Sequence, residues 1–160
     1  MPMYREYLYA GGVQIWCAST VDDREMWQIS MRHIAYEGRC FVINACQFFT
    51  RADCPPEFEP IQGNDPATVL IKGGSMIVSP AGQIVAGPLY GREDLVTAEI
   101  DLKDIVRGRF DLDVTGHYSR PDVFRLIVDV EQKRPVSTGP DSQPLAANSI
   151  RHTQSPKSES

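Results

Sequence analysis

The opening stretch MPMYREYLYAGGVQIWCAST (residues 1–20) sets how the rest of the chain is read. Residues 2–10 read as an amphipathic helix already under way. Gly11 and Gly12 stop it, and Val13 to Cys17 then read as a strand. No N-cap side chain, leading loop or charged-apolar-small leader stands before the first turn. The expectation is a domain entered partway, whose preceding segment carries part of the chemistry.

After the strand, ASTV (18–21) reads as a loop and DDREMWQISMRHIAYEG (22–38) as a helix. Asp22 stands as its N-cap with Glu25 in the capping-box place, and Gly38 as its C-terminal stop. Trp27, Met31 and Ile34 share one stripe of that helix. CFVINAC (40–46) is a nearly continuous apolar run and reads as a buried strand. Residues 50–68 form a polar loop with five prolines and glycines, a length usually tied to function or insertion. SMIVS (75–79) and QIVAG (83–87) flank Pro80-Ala81-Gly82, the pattern of a hairpin. DLVTAEI (94–100) alternates as a further strand, DLKDIVRGRF (101–110) reads as a short helix with Asp101 as cap, and FRLIVDV (124–130) as a last extended run. The order predicts an α/β layered sandwich with a mixed sheet.

The final residues, RPVSTGPDSQPLAANSIRHTQSPKSES (134–160), are rich in Ser, Pro, Gln and Asn and poor in large apolar side chains. They are expected to stay disordered, because they bury too little surface to offset ordering entropy. The predicted organisation is a domain over 1–133 followed by a tail over 134–160. The net charge of −5 with scattered basic residues argues against a nucleic-acid or anionic-lipid partner. No apolar run reaches the ~18 residues that suggest a membrane span. A cytoplasmic protein is expected.

Cys17, Cys40, Cys46 and Cys54 include no CxxC pair, and His33, His117 and His152 complete no zinc pattern, so no metal is expected. Cys17, Cys40 and Cys46 lie in apolar runs and read as buried thiols, with Cys54 the exposed one. A cysteine hydrolase needs a thiolate, a nearby base and donors for developing charge. Nothing in the sequence supplies a base for Cys17 or Cys46. His117 with Tyr118, Arg120 and Asp122 reads either as a hydrogen-bonded corner or as an acid–base site. His33 reads as a surface or interface residue, and Glu37 as either a buried partner or a solvated carboxylate. Gly73-Gly74 fits a bulge or close backbone packing better than a phosphate cradle.

Four blocks together resemble the C-terminal half of a nitrilase, of the carbon–nitrogen hydrolase superfamily. They are YAGGVQIWCAST (9–20), DDREMWQISMRHIAYEGRCFVINACQ (22–47), GGSMIVSPAGQIVAGPL (73–89) and DLKDIVRGRFDLDVTGHYSRPDVFRL (101–126). Within the last, GHYSRPDV (116–123) is close to a signature of the nitrilase branch. The resemblance implies half of an α-β-β-α sandwich, a mixed sheet with helices on one face. It implies hydrolysis of a small organic nitrile by a cysteine thiolate, with a glutamate moving protons, a lysine stabilising charge, and no cofactor. In that family the nucleophile sits in a Cys-Trp-Glu turn directly before a helix with a Met-Pro pair and an arginine. Met1-Pro2 and Arg5 match that helix, so the nucleophile, base and lysine are expected upstream of Met1 and no catalytic residue within the chain. Lys72, Lys103, Lys133 and Lys157 match none of the triad.

Ser19 stands where the family favours proline, Cys46 where it favours asparagine, and Trp16 where tyrosine is frequent. The resemblance also makes Ser19, Thr20, Gln47 and His117 candidates for the substrate pocket. It gives the helices at 2–10 and 22–38 a role in pairing subunits, with Leu8 and Trp27 on that face and a homo-oligomer as the expected assembly. The alternative is a non-catalytic short product that associates with full-length nitrilase subunits.

Overall fold

The computed structural model describes residues 1–131. A compact unit spans Met1–Ile127, and a second begins at Val128. The described part of the second, residues 128–131, holds no helix or strand. The expected tail over 134–160, and the last residues of the expected domain, lie outside the described residues.

The elements run α1 (Pro2–Ala10), β1 (Ile15–Thr20), α2 (Glu25–Gly38), β2 (Phe41–Cys46), β3 (Phe48–Thr50), a 3-10 turn at Arg51–Asp53, β4 (Val69–Val78), β5 (Ile84–Tyr90) and α3 (Lys103–Asp111). β1 and β2 pair in parallel, from Ile15 opposite Phe41 to Thr20 opposite Cys46. β4 runs antiparallel to β2, β3 and β5, so the sheet is mixed as expected. The β1–α2–β2 segment is the crossover unit that a parallel pair requires.

One face of the sheet meets α1 and α2. Tyr9, Ala18, Met31, Ile34, Ala35, Cys40, Val42, Met76 and Val78 form that core, with Trp16 and Trp27 packed against it. Val42, Met76 and Val78 are fully buried, worth about 1.5–3 kcal/mol each. On the other face Phe41 and Ile77 are buried, whereas Ile15, Cys17, Ile43 and Ala45 are exposed.

Several local expectations are corrected. β1 continues through Ser19 and Thr20, because the ladder with β2 holds that segment extended, so ASTV is mostly strand. Asp22 does not cap α2. Its carboxylate accepts the Arg24 N–H at 3.1 Å and the Arg24 Nε–H at 2.8 Å, and the helix starts at Glu25. Gly38 ends α2 for a packing reason: a Cβ there would overlap the Tyr9 ring. The left-handed cap falls on Arg39, at φ 45 and ψ 51. Asp101 precedes α3 and accepts the Lys103 N–H at 2.9 Å. DLVTAEI forms no strand: the Asp94 carboxylate takes the Leu95 N–H at 2.8 Å, and Leu95 is 82 % exposed. FRLIVDV finds no ladder partner among the described residues. Cys17 is exposed rather than buried, because alternation places it on the bare sheet face, and Cys54 is half-buried.

Candidate functional site

β1 and β2 are parallel, so their C-terminal ends emerge side by side. Ligands in open α/β sheets bind at such carboxyl ends. A cleft of about 390 Å³ lies there, lined by Ser19 and Thr20 from β1, by Ala45 and Cys46 from β2, by Phe48 from β3 and by Gln47 between those two strands. Ser75 of β4, Leu89 of β5 and the Arg92-Glu93-Asp94 loop complete its wall. Three of the four pocket candidates, Ser19, Thr20 and Gln47, thus share one cleft. His117 is not among its lining residues.

Thr20 Oγ1 accepts the Asp22 N–H at 2.9 Å, which leaves its own proton free to donate. Ser19 and Gln47 are exposed to the cleft side of the strands. At the rim, Arg92 Nε lies 3.4 Å from Asp94 Oδ2, a pair too exposed to be rigid. The wall therefore offers hydroxyl and amide groups beside Ala45, Phe48 and Leu89, a surface suited to a small molecule with one polar end.

The buried cysteines do not have the surroundings of a nucleophile. Cys46 is buried, and burial together with the charges of Asp23 and Asp22 pushes its thiol up. Burial raises Cys40 to about 11, against a small opposing effect of Arg109. A catalytic thiol requires the reverse, a nearby cation or base that favours thiolate. Cys17 lies on the bare sheet face, outside the cleft lining. Among the described residues no group of three His, Cys, Asp or Glu side chains is arranged to hold a metal.

His117 belongs to an exposed turn. Asp113 Oδ1 accepts from the Thr115 and Gly116 N–H groups at 3.2 and 3.0 Å, and Arg120 pairs with Asp122 at 2.7 Å. The His117 ring lies 4.8 Å from that of Tyr118. The segment 116–122 has the build of a hydrogen-bonded corner. Glu37 proves to be a partnered carboxylate: Arg5 Nε–H and Tyr9 O–H both donate to its Oε2, at 2.9 and 3.0 Å, and His33 Nε2 lies 3.4 Å from Oε1.

Sequence reasoning missed Ser75, Leu89 and the 92–94 loop. The signal available for Ser75 was the glycine doublet before it. Gly73 and Gly74 have φ of 92 and 129, and the β4–β5 register shifts there, so the doublet is a bulge that turns Ser75 toward the cleft.

Comparison with known proteins agrees with this geometry. The family described as carbon-nitrogen hydrolase matches residues 1–110. A nitrilase of Bradyrhizobium diazoefficiens is 52 % identical over 138 residues, covering 86 % of this chain and 43 % of that protein. An arylacetonitrilase of Trametes versicolor is 55 % identical over 128 residues, covering 79 % of this chain and 40 % of that protein. The chain thus spans less than half the length of these curated relatives. Among solved structures, the NitFhit protein of C. elegans superposes with a TM-score of 0.60 at 27 % identity, over 84 % of this chain and 30 % of that one. A carbon-nitrogen hydrolase from Helicobacter pylori shares the fold at a TM-score of 0.57 and 16 % identity, over 78 % of this chain and 43 % of that one. A cleft at the carboxyl ends of parallel strands, the mixed sheet beneath it and a family match across most of the chain lead to one conclusion: the chain belongs to the carbon-nitrogen hydrolase family.

Proposed function

We propose that the chain is the C-terminal half of a nitrilase, a cytoplasmic enzyme that converts an organic nitrile and two waters to a carboxylic acid and ammonia without a cofactor. The observation that carries this reading is the convergence of Ser19, Thr20 and Gln47 on one cleft. The high identity to nitrilases from a bacterium and a fungus supports the substrate class. The bare sheet face at Ile15, Cys17, Ile43 and Ala45 supports the half-sandwich, since sheets of this kind pack against a second apolar layer.

In this reading the wall residues bind and orient, and the thiolate comes from the other half. The thiolate adds to the nitrile carbon, a thioimidate forms, and water addition expels ammonia. A second water hydrolyses the thioester and regenerates the thiol. Ser19, Thr20 and Gln47 hold the polar end of the substrate through hydroxyl and amide donors. His117 does not line the cleft and takes no part in this reading.

The test has two arms. Purified 1–160 protein is expected to release no ammonia from aliphatic or aromatic nitriles. The same chain fused behind the preceding segment of the Bradyrhizobium relative is expected to release it. Ammonia from the chain alone, abolished by thiol alkylation, overturns the half-enzyme reading. A folded fusion that binds no nitrile overturns the cleft assignment.

The second reading is a non-catalytic chain that pairs with full-length nitrilase subunits, or with itself, through α1 and α2. It is favoured by Met3, Tyr4, Tyr7, Met26, Ile29 and Tyr36, exposed on those helices. Co-purification with a full-length subunit, lost on Tyr4→Glu with Ile29→Glu, checks it.

A further inference from the structure

The ladder between β2 and β4 covers Val42, Ile43 and Asn44, opposite Val78, Ile77 and Met76, and goes no further. The next pairing on that edge of β4 is Phe48 with Lys72, in β3. Between these two ladders the sheet is interrupted. The interruption faces Gly73, Gly74 and Ser75 on β4, where both glycines have positive φ and the β4–β5 register shifts. Ala45, Cys46 and Gln47 lie in it, and all three line the cleft.

Two side chains span this interruption. Asn44 is 2 % exposed; its Nδ2 donates to the Gly74 carbonyl at 3.0 Å and its Oδ1 accepts from Trp27 Nε1 at 2.7 Å. Ser75 Oγ accepts the Cys46 N–H at 3.0 Å and donates to the Cys46 carbonyl at 3.0 Å. One hydroxyl thus satisfies both backbone groups of Cys46 in place of a ladder strand. Buried backbone groups need such partners, and a hydroxyl that both donates and accepts is the smallest side chain able to serve both.

We infer that Ser75 is a positioning residue of the cleft, a hydroxyl splint that fixes the backbone at Cys46 and so sets where Gln47 stands. It is not a nucleophile, because its proton and an oxygen lone pair are both committed to Cys46. Asn44 anchors the opposite side of the same interruption by holding the Gly74 carbonyl. The functional part of this inference rests on the cleft reading above; the splint itself does not.

The experiment uses the full 1–160 chain and three proteins: the wild type, Ser75→Ala and Ser75→Thr. Amide hydrogen exchange is followed by NMR. Ser75→Ala is expected to speed exchange at the Cys46 amide about tenfold, the loss of one buried hydrogen bond, while Val42 and Ile43 keep their rates. Ser75→Thr, which keeps the hydroxyl, is expected to restore protection. Unchanged exchange at Cys46, or equal acceleration along all of β2, overturns the splint. In parallel, phenylacetonitrile is titrated and the Ser19, Thr20 and Gln47 amide shifts are read. Ser75→Ala is expected to weaken binding about fivefold or more, with Ser75→Thr near the wild type. Equal affinity in all three overturns the positioning role. No shift in the wild type overturns the cleft reading and leaves the exchange result to judge the splint.

Discussion

Arg39 and Asp111, 72 residues apart, meet at 2.8 Å between Nη2 and Oδ2, and they do so from opposite surroundings. The Arg39 side chain is 5 % exposed and that of Asp111 is 76 % exposed. The guanidinium lies 4.1 Å from the Tyr36 ring centre and donates from Nη1 to the Pro80 carbonyl at 3.3 Å. Its Nε–H has no partner among the described residues. A single buried cation therefore ties the end of α2 to the hairpin turn and the end of α3.

This asymmetry separates the effects of three substitutions. Arg39→Ala removes a packed stem and leaves a hole, so a loss of about 2–4 kcal/mol is expected. Arg39→Met fills the same space without the unpaired N–H and is expected to stay within about 1 kcal/mol of the wild type. Asp111→Asn is expected to cost about 1 kcal/mol, since water reaches that side of the pair. Urea unfolding midpoints of the three variants check the order; a Met variant as damaged as the Ala variant would refute it.

Gly38 tests the contact between the first two helices. A methyl group there overlaps the Tyr9 ring, which is 3 % exposed and has no room to move outward without leaving the core. Gly38→Ala is expected to destabilise by about 1–3 kcal/mol despite the higher helix propensity of alanine. In a Tyr9→Leu background the same change is expected to cost much less. A thermal double-mutant cycle reads the coupling, and simple additivity would show that the ring is not what excludes the methyl group.

The carboxylate of Glu37 should be visible in acid. Burial pushes its pKa up, but hydrogen bonds from Arg5 and Tyr9 and the charges of Arg5 and His33 outweigh burial and hold it below the ordinary 4.5. A carboxyl lowered on folding contributes stability that is full above the unfolded value and is lost as pH falls through the folded one. The wild type is thus expected to lose stability as pH drops below about 4.5, and Glu37→Gln to show a shallower acid limb. Urea midpoints at a series of pH values from neutral to acid compare the two slopes.

The thiols should react in order of access. Cys17, exposed on the bare sheet face, is expected to be alkylated first by iodoacetamide at mildly alkaline pH, with half-buried Cys54 next. Cys46 and Cys40 are buried and their thiols are raised, so both are expected to resist until the protein unfolds. Peptide mapping by mass spectrometry gives the order directly, and early labelling of Cys40 would contradict the core as described.

The helices and the hairpin were legible because their determinants are local. α1 begins and ends at residues 2 and 10 as its apolar spacing and glycine pair require. The 80–82 turn is specified by Pro80 and Gly82, whose φ of 74 demands glycine. Ser19, Thr20 and Gln47 could be named from strand ends and family blocks. What stayed hidden depends on distant partners. DLVTAEI has the alternation of a strand, but alternation does not supply a neighbouring edge. Gly38 looks like a helix stop until Tyr9, 29 positions earlier, is laid across it. Nothing near Ser75 announces that its hydroxyl will serve the backbone of Cys46, since that bond exists only once two strands part.

The bare half of the sheet gives the chain the character of a two-faced colloid. Ile15 and Ile43 are 41 % and 38 % exposed on one face of the sheet, while α1 and α2 pack against the other. Particles with one wettable and one unwettable side gather at air–water boundaries and stack face to face as they are concentrated. For this chain, handling sets the state: foam and vial walls should strip it from dilute solution, and a mild detergent above its micelle threshold should keep it dispersed by coating that one face.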